Sequence, residues 1–430
     1  MTRLRDGLAA LGETEFRKLF IGQAVSVVGV MFTVVALPFA VLEIGGSATE
    51  IGIVEAAYVI PLTVFLLFGG VWADRLPRQK VMLAADFGRT ALQLTTAALL
   101  VTGVAQVWHL VLLQVGMGFC EAFFRPSYTG LVPEVVSGLR LQQANALQGL
   151  VMSGSITLGA TLAGLLVAAL GAGWAIGIDG LSYLVSAWFL WRLRPEAFRG
   201  LPAPTGQAAA TGGRSFLRDL AAGWREFISH TWLWAMVAGV SVFLFAVEGP
   251  IQVLGPIVAR DVYDGARTWG LTSAAMGVGQ IAGGLLSLRW RPRRPLFVIG
   301  AGIGLAAFPV AFLALEVPVG MLYASLAAMG VVWGLYDPFW TTCMQREVAP
   351  EMISRVASYD YLGSLAFYPL GLALAGPLAD AVGITTVLWG SAVVAVLVSV
   401  FQLSWRDVRS PKEMGPRLPE AGAAAAASLD

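Results

Sequence analysis

Residues 117–130, MGFCEAFFRPSYTG, and residues 329–342, MGVVWGLYDPFWTT, are two copies of one helix end. Met117, Gly118, Pro126 and Thr129 match Met329, Gly330, Pro338 and Thr341 at a constant offset of 212 residues. The same offset pairs Gly159, Leu162, Ala163 and Gly164 with Gly371, Leu374, Ala375 and Gly376. A 430-residue chain that is apolar throughout and repeats at half its length reads as two homologous helical membrane bundles. Duplication of this kind is the usual plan of a secondary transporter, with the substrate site between the halves. One position breaks the symmetry, because Arg125 of the first copy stands where Asp337 stands in the second.

The composition agrees with that reading. The chain is 57% hydrophobic and 13% charged, with a mean hydropathy of +0.73, far from a soluble globular protein. A net charge of +1 gives no basic footprint for nucleic acid. Cys120 and Cys343 fall inside apolar helices, which argues for buried neutral thiols rather than a disulfide. A spanning helix needs about 20 mostly apolar residues. Twelve such runs can be placed, at 17–44, 50–72, 81–103, 107–129, 145–170, 173–193, 232–257, 268–288, 295–316, 318–339, 357–381 and 384–405. The expected fold is an all-α membrane protein of 12 transmembrane helices in two pseudo-symmetric six-helix bundles.

Residues 1–16 read as an amphipathic lead-in, 17–193 as the first bundle and 194–230 as a linker. Residues 231–406 form the second bundle and 407–430 a disordered tail. The charges of the N-terminus continue to Lys18, which argues against a cleaved signal. The linker carries Pro195, Pro202 and Pro204, then an amphipathic piece at 216–227 that reads as a surface helix. Of the 28 basic residues, only Arg260 and Arg267 fall in loops on one side. The positive-inside rule therefore places both termini and the linker in the cytoplasm of a multi-pass protein in the inner or plasma membrane. Trp72, Trp108, Trp174, Trp191, Trp232, Trp269 and Trp405 sit near helix ends, as an interfacial belt would.

Between the second and third spans stands Gly69-Gly70-Val71-Trp72-Ala73-Asp74-Arg75-Leu76-Pro77-Arg78-Gln79-Lys80. Physically it is a tight turn in which glycines permit close helix approach and one acid faces three cations. The segment resembles the G-x-x-x-D-R-x-x-R-[RK] signature of the major facilitator superfamily, with Gln79 inserted before Lys80 and Pro77 where Gly is commoner. The resemblance implies that Asp74 caps a helix of the opposite bundle when the cytoplasmic side closes. It also implies a gate built from Gly70, Asp74, Arg75, Arg78 and Lys80; a topology-setting basic loop is the plainer alternative. Phe16-Arg17, Gly22-Gln23, Ala36-Leu37-Pro38, Glu121-Ala122-Phe123-Phe124-Arg125-Pro126, Leu141–Leu147 and Arg355–Asp360 narrow it. Together they resemble the drug-efflux branch that includes macrolide and siderophore exporters. No arginine occupies the middle of helix 4, where Leu113-Gln114-Val115-Gly116 stands, which departs from better-known drug/proton antiporters.

An ionisable side chain at a membrane helix centre costs roughly 2.5–3.5 kcal/mol on insertion scales, so each is a functional candidate. Asp86 and Arg89 are i,i+3 on helix 3, and Glu121 and Arg125 are i,i+4 on helix 4, so each pair can neutralise itself. Both pairs read equally as gate contacts near the cytoplasmic ends or as substrate contacts. Glu248 has no cation within four residues and precedes Gly249-Pro250, which should disturb local backbone bonding. A lone intramembrane carboxyl suits proton coupling or substrate contact, and Glu55 is a second candidate. Gln23 is a candidate polar substrate contact on the first helix. Asp179 and Asp360 read as hydrogen-bonded structural acids. Arg125 and Asp337 read as cytoplasmic-gate residues that approach each other, or the Asp74 turn, on closure. The aromatic set Phe123, Phe124, Tyr128, Tyr336, Phe339 and Trp340 reads as packing or as a drug pocket.

The expected function is secondary active transport, with proton-coupled efflux of a small amphipathic molecule by alternating access. An importer of a small metabolite is the alternative, and a non-transporting membrane protein a third. An enzyme is disfavoured: Leu110 and Thr231 follow the two histidines, so there is no HExxH, and no G-x-S-x-G elbow occurs. None of the three lysines precedes Ser or Thr, so there is no P-loop. The expected partners are a small-molecule substrate, protons and the lipid bilayer, without cofactor, metal or nucleic acid, acting as a monomer.

Overall fold

The computed structural model describes residues 9–137, 140–194, 223–348 and 352–410, apart from the side chains of 9, 67–75, 142, 146, 354 and 355. The side chains of Gly70, Asp74 and Arg75 therefore lie outside the described residues, as do most of the linker and tail. The first half comprises α1 (Thr14–Glu43), α2 (Ala48–Arg75), α3 (Arg78–Val101) and α4 (Val107–Val135). It continues with α5 (Leu141–Gly154, a π turn Ser155–Gly159, then Ala160–Leu170) and α6 (Ala172–Trp191). The second half begins with α7 (Thr231–Phe243, a π turn Leu244–Glu248, then Gly249–Val262) and α8 (Ala266–Arg289). It proceeds through α9 (Pro295–Gly304 and Ala307–Ala314) and α10 (Val319–Glu347). It ends with α11 (Ile353–Leu365 and Tyr368–Val382) and α12 (Ile384–Ser404). Helices α4 and α10 keep the offset of 212 residues at both ends.

Eleven of these helices are long and apolar enough to cross a membrane. The twelfth, α3, has 24 residues, about 36 Å of helix. It fails only on composition, because Asp86 and Arg89 sit near its middle; it packs against α4 and α6. Large apolar side chains such as Leu112, Leu150, Leu158, Val393 and Leu397 are exposed on the outer helix faces, where a bilayer would cover them.

The breaks have local causes. In α7 the π turn ends at Glu248, immediately before Gly249 and Pro250; proline supplies no backbone donor, so the ladder slips by one residue. In α9 the break at 305–306 precedes Pro309, and in α11 the break at 366–367 precedes Pro369.

The repeated glycine of the opening motif is a packing device. A Cβ on Gly118 would lie 2.1 Å from the Tyr58 carbonyl oxygen, and one on Gly330 would lie 2.1 Å from that of Met276. Only a bare backbone lets α4 cross α2, and α10 cross α8, this closely.

The same device joins the halves. A Cβ on Gly52 of α2 would lie 2.2 Å from the Leu372 carbonyl oxygen of α11. Its symmetric counterpart on Gly270 of α8 would lie 2.5 Å from the Ala160 carbonyl oxygen of α5. Gly376 sits against Thr49, and Gly164 against Ala266 and Gly270. Thr49 also donates to Asp380 at 2.9 Å. All these contacts lie at the membrane end remote from the chain termini, where the two halves are drawn together.

At the opposite end the first half is stitched by polar contacts. Arg78 donates to the Gly130 carbonyl at 2.8 Å and pairs with Glu134 at 2.7 Å. Gln79, the residue inserted into the signature, donates to the carbonyls of Leu190 at 2.6 Å and Leu193 at 2.9 Å, capping the end of α6. Lys80 is exposed. The helix at 223–229 rests Trp224 and Phe227 on Tyr359 of α11. The chain after α12 forms a further turn, Arg406–Arg409, that buries Val408.

Candidate functional site

The charged residues of α3 and α4 form one chain rather than two separate pairs. Arg89 bonds Asp86 on its own helix and reaches Glu121 of α4 at 2.7 Å. Glu121 in turn accepts from Arg125 Nε at 2.8 Å. Two acids and two bases alternate, so the chain neutralises itself, as burial requires. The Arg89 guanidinium is also sandwiched by aromatic rings, 3.7 Å from the Phe124 centroid and 4.4 Å from that of Tyr183. Arg89 and Asp86 are buried, whereas the Arg125 side chain at the other end is 48% exposed.

The depth of this chain differs from the sequence expectation. Glu121 lies midway between Val107 and Val135, and Arg125 one turn further on, about 15 Å short of the end of α4. The helix runs through Pro126 and Pro133 to Val135, beyond the expected end at 129, so neither residue is at a helix end. Asp337 occupies the same depth in α10 and is exposed, with no hydrogen bond among the described residues.

Gln23 is not placed for substrate contact. It is 7% exposed, and its amide donates to Ser186 Oγ of α6 at 2.9 Å. Which face of α1 it occupies depends on helix rotation, which its sequence neighbours do not fix. Asp179 is held at the junction of α1, α3 and α6, accepting from Thr33 at 2.6 Å and Gln93 at 2.7 Å. Asp360 accepts from Trp340 Nε1 at 2.8 Å.

Glu55 and Glu248 are different. Each is half-buried, and neither has an ion pair or hydrogen bond among the described residues. They come from opposite halves, on segments that pack against the same stretch of α11: Gly52 meets the Leu372 carbonyl, and Gly249 meets Gly371 and Leu372. The two unpaired carboxyl groups thus flank the closed crossing, one on α2 and one on α7. Sequence reasoning singled out both acids but not α11 as the element against which both segments pack.

A pocket lies inside the second half, behind Glu248. Phe243, Glu248 and Gln252 of α7 line it, with Trp269 and Met276 of α8, Ala306 and Pro309 of α9, and Met329 and Trp333 of α10. Phe243 and Trp333 meet edge to face, with centroids 5.9 Å apart. Of the expected aromatic set, Tyr336, Phe339 and Trp340 are buried packing residues, as is Phe124.

Comparison with known proteins agrees with this architecture. The Major Facilitator Superfamily profile matches residues 19–363. The chain is 29% identical over 372 residues to the multidrug efflux pump Tap of Mycolicibacterium fortuitum, covering 82% of this chain and 86% of that one. It is 24% identical over 396 residues to macrolide efflux protein A of Streptococcus pyogenes, covering 89% and 94%. Among solved structures, a bacterial homologue of the lysosomal transporter Spinster, inward-facing and unoccupied, superposes with a TM-score of 0.69. That pair shares 17% identity and covers 93% of this chain and 98% of the other. Duplicated six-helix halves, symmetric glycine crossings and the matching profile lead to one conclusion: this multi-pass membrane transporter belongs to the Major Facilitator Superfamily.

Proposed function

We propose that the chain is a proton-coupled exporter of a small amphipathic molecule, working by alternating access. The observation that carries this reading is the pair of symmetric glycine crossings, α2 on α11 and α8 on α5, which draw the halves together at the end remote from the termini. The lysine and arginine bias places the termini in the cytoplasm, so the joined end is external and the state faces inward. Close backbone crossings with one side-chain hydrogen bond, Thr49 to Asp380, can part as rigid bodies without unfolding either half. The names of Tap and macrolide efflux protein A support export as the direction and a drug-like compound as cargo.

Glu248 and Glu55 are the coupling candidates, because they are the unpaired carboxyl groups nearest the crossing and come from opposite halves. The cytoplasmic gate comprises Gly70, Asp74, Arg75, Arg78 and Lys80, with Arg125 and Asp337 meeting across the cavity when that mouth closes. Their equivalent positions on α4 and α10 support this reading of the pair. The protein acts as a monomer in the cell membrane.

The test is accumulation of a panel of fluorescent dyes and antibiotics by cells expressing the protein. Lower accumulation that a protonophore abolishes is the expected result; no protection across a broad panel would refute export. For the gate, Arg125→Asp and Asp337→Arg each impair efflux alone, and the double exchange restores it; failure of the exchange to restore activity removes the pair from the gate.

A further inference from the structure

We infer that the pocket inside the second half is a binding site for an amphipathic organic cation, with Glu248 as its charged contact. The inference rests on the exporter reading and names the class of cargo. Glu248 and Gln252 are i,i+4, so their side chains share one face of α7. Both line the pocket, and both lack a hydrogen-bond partner among the described residues. The hydroxyls there are already engaged: Thr272 donates to the Trp269 carbonyl at 2.6 Å, and Ser273 to the same oxygen at 3.4 Å.

The remaining wall is aromatic and thioether. Phe243, Trp269 and Trp333 present ring surface, and Met276 and Met329 supply soft, adaptable contacts. The lining includes no lysine or arginine. Ring faces attract cations and repel anions, and the effect strengthens when water is excluded. With a neutral guest an ionised carboxylate would stay unpaired among apolar groups, a cost that it escapes only by taking up a proton. An ammonium beside Glu248 satisfies the carboxylate and the rings at once, while Gln252 can accept from or donate to a polar substituent. The site also adjoins the interface between halves, since Gly249 packs against Gly371 and Leu372, and the Leu372 carbonyl meets Gly52 of α2. A guest here would therefore touch the element that must move.

The experiment uses the full chain in phosphatidylcholine nanodiscs, with equilibrium binding followed by tryptophan fluorescence and protein-free nanodiscs as the blank. The probe is benzyltrimethylammonium, and benzenesulfonate serves as a control of similar size and opposite charge. Saturable binding of the cation alone is expected, weakened at least tenfold by Glu248→Gln and tightened several-fold by Gln252→Glu. Trp333→Leu should weaken it several-fold while leaving benzenesulfonate unbound. No saturable cation binding, equal binding of the sulfonate, or unchanged affinity in E248Q would each overturn the proposal. Should E248Q not give monodisperse protein, Q252E still decides, because failure to tighten binding overturns it equally. These measurements need no gradient, so they separate from the exporter reading. A Glu248 used only for coupling would leave E248Q deficient in efflux but normal in cation affinity.

Discussion

Substituting Gly376 by alanine should open the external end without unfolding either half. The added Cβ would sit 2.2 Å from both Cα and N of Thr49 and 2.5 Å from the Ala48 carbonyl carbon. Ordinary contact is about 3.5–4.0 Å between carbons, so α11 and α2 must separate by more than 1 Å or so. The clashing atoms are backbone, which cannot rotate away, and they belong to opposite halves. Overpacking of this kind costs about 1–3 kcal/mol. Because rigid separation relieves it, the cost appears as a shift of roughly 5- to 150-fold toward the outward-open state. The assay is distance measurement between spin labels on the α1–α2 and α11–α12 turns, with Cys120 and Cys343 first replaced by alanine. The expected result is growth of a longer-distance population in Gly376→Ala, enlarged by adding Gly164→Ala at the symmetric crossing. A well-folded variant with an unchanged distance distribution would refute the view that these crossings set the conformational balance.

Three further outcomes follow from local geometry. Arg89→Met removes the cation shared by Asp86 and Glu121 and strands buried carboxylates, so a loss of about 3–5 kcal/mol is expected, read as loss of monodisperse protein on size exclusion; a normal melting profile would refute the central place given to Arg89. Gln79→Ala deletes two hydrogen bonds to the last carbonyls of the first half and should destabilise it by about 1–2 kcal/mol, seen as faster amide exchange near Leu190 and Leu193. Glu316 holds a positive φ of 52° in the turn before α10, where the turn before α4 uses Gly103 at 73°. Glu316→Gly should therefore stabilise by something on the order of 1 kcal/mol, raising the thermal midpoint in detergent by a few degrees.

The sequence made the helices legible because a bilayer demands long apolar runs, and the ends of α4, α8, α9 and α12 fall within a few residues of those runs at most of their termini. It made the symmetry legible because close backbone crossings tolerate only glycine, so Gly118, Gly330, Gly164 and Gly376 persist in both halves. It did not reveal which charges meet. The ladder Asp86–Arg89–Glu121–Arg125 depends on the relative rotation of α3 and α4, and i,i+3 spacing shows only neighbours on one helix. Gln23 illustrates the same limit, since a polar residue on an apolar helix can face a cavity or, as here, a serine on the next helix. The apolar run closes at 129, whereas α4 carries Pro126 and Pro133 inside its span and continues to Val135, which leaves Arg125 deeper than a helix end.

The broken symmetry at Arg125 and Asp337 is part of a wider division between the halves. At the offset of 212 residues, Glu121 of α4 corresponds to Trp333 of α10, and Gln114 to Leu326. In the first half that level is filled by a buried ion ladder clasped by Phe124 and Tyr183. In the second half the equivalent level carries Trp333 and Leu326 on the wall of an apolar pocket with one free carboxyl. An ion ladder has directional partners and resists repacking, whereas a wall of rings and thioethers can adapt to guests of different shape. The duplicated scaffold thus lets one half serve as a rigid charged abutment and the other as an adaptable receptor. If that division holds, replacing Glu121 by tryptophan should collapse the first half rather than create a second pocket, because Arg89 and Arg125 would lose their shared anion while Arg89 stays buried among aromatic rings. A folded Glu121→Trp variant that gained cation binding would show instead that the two halves are interchangeable.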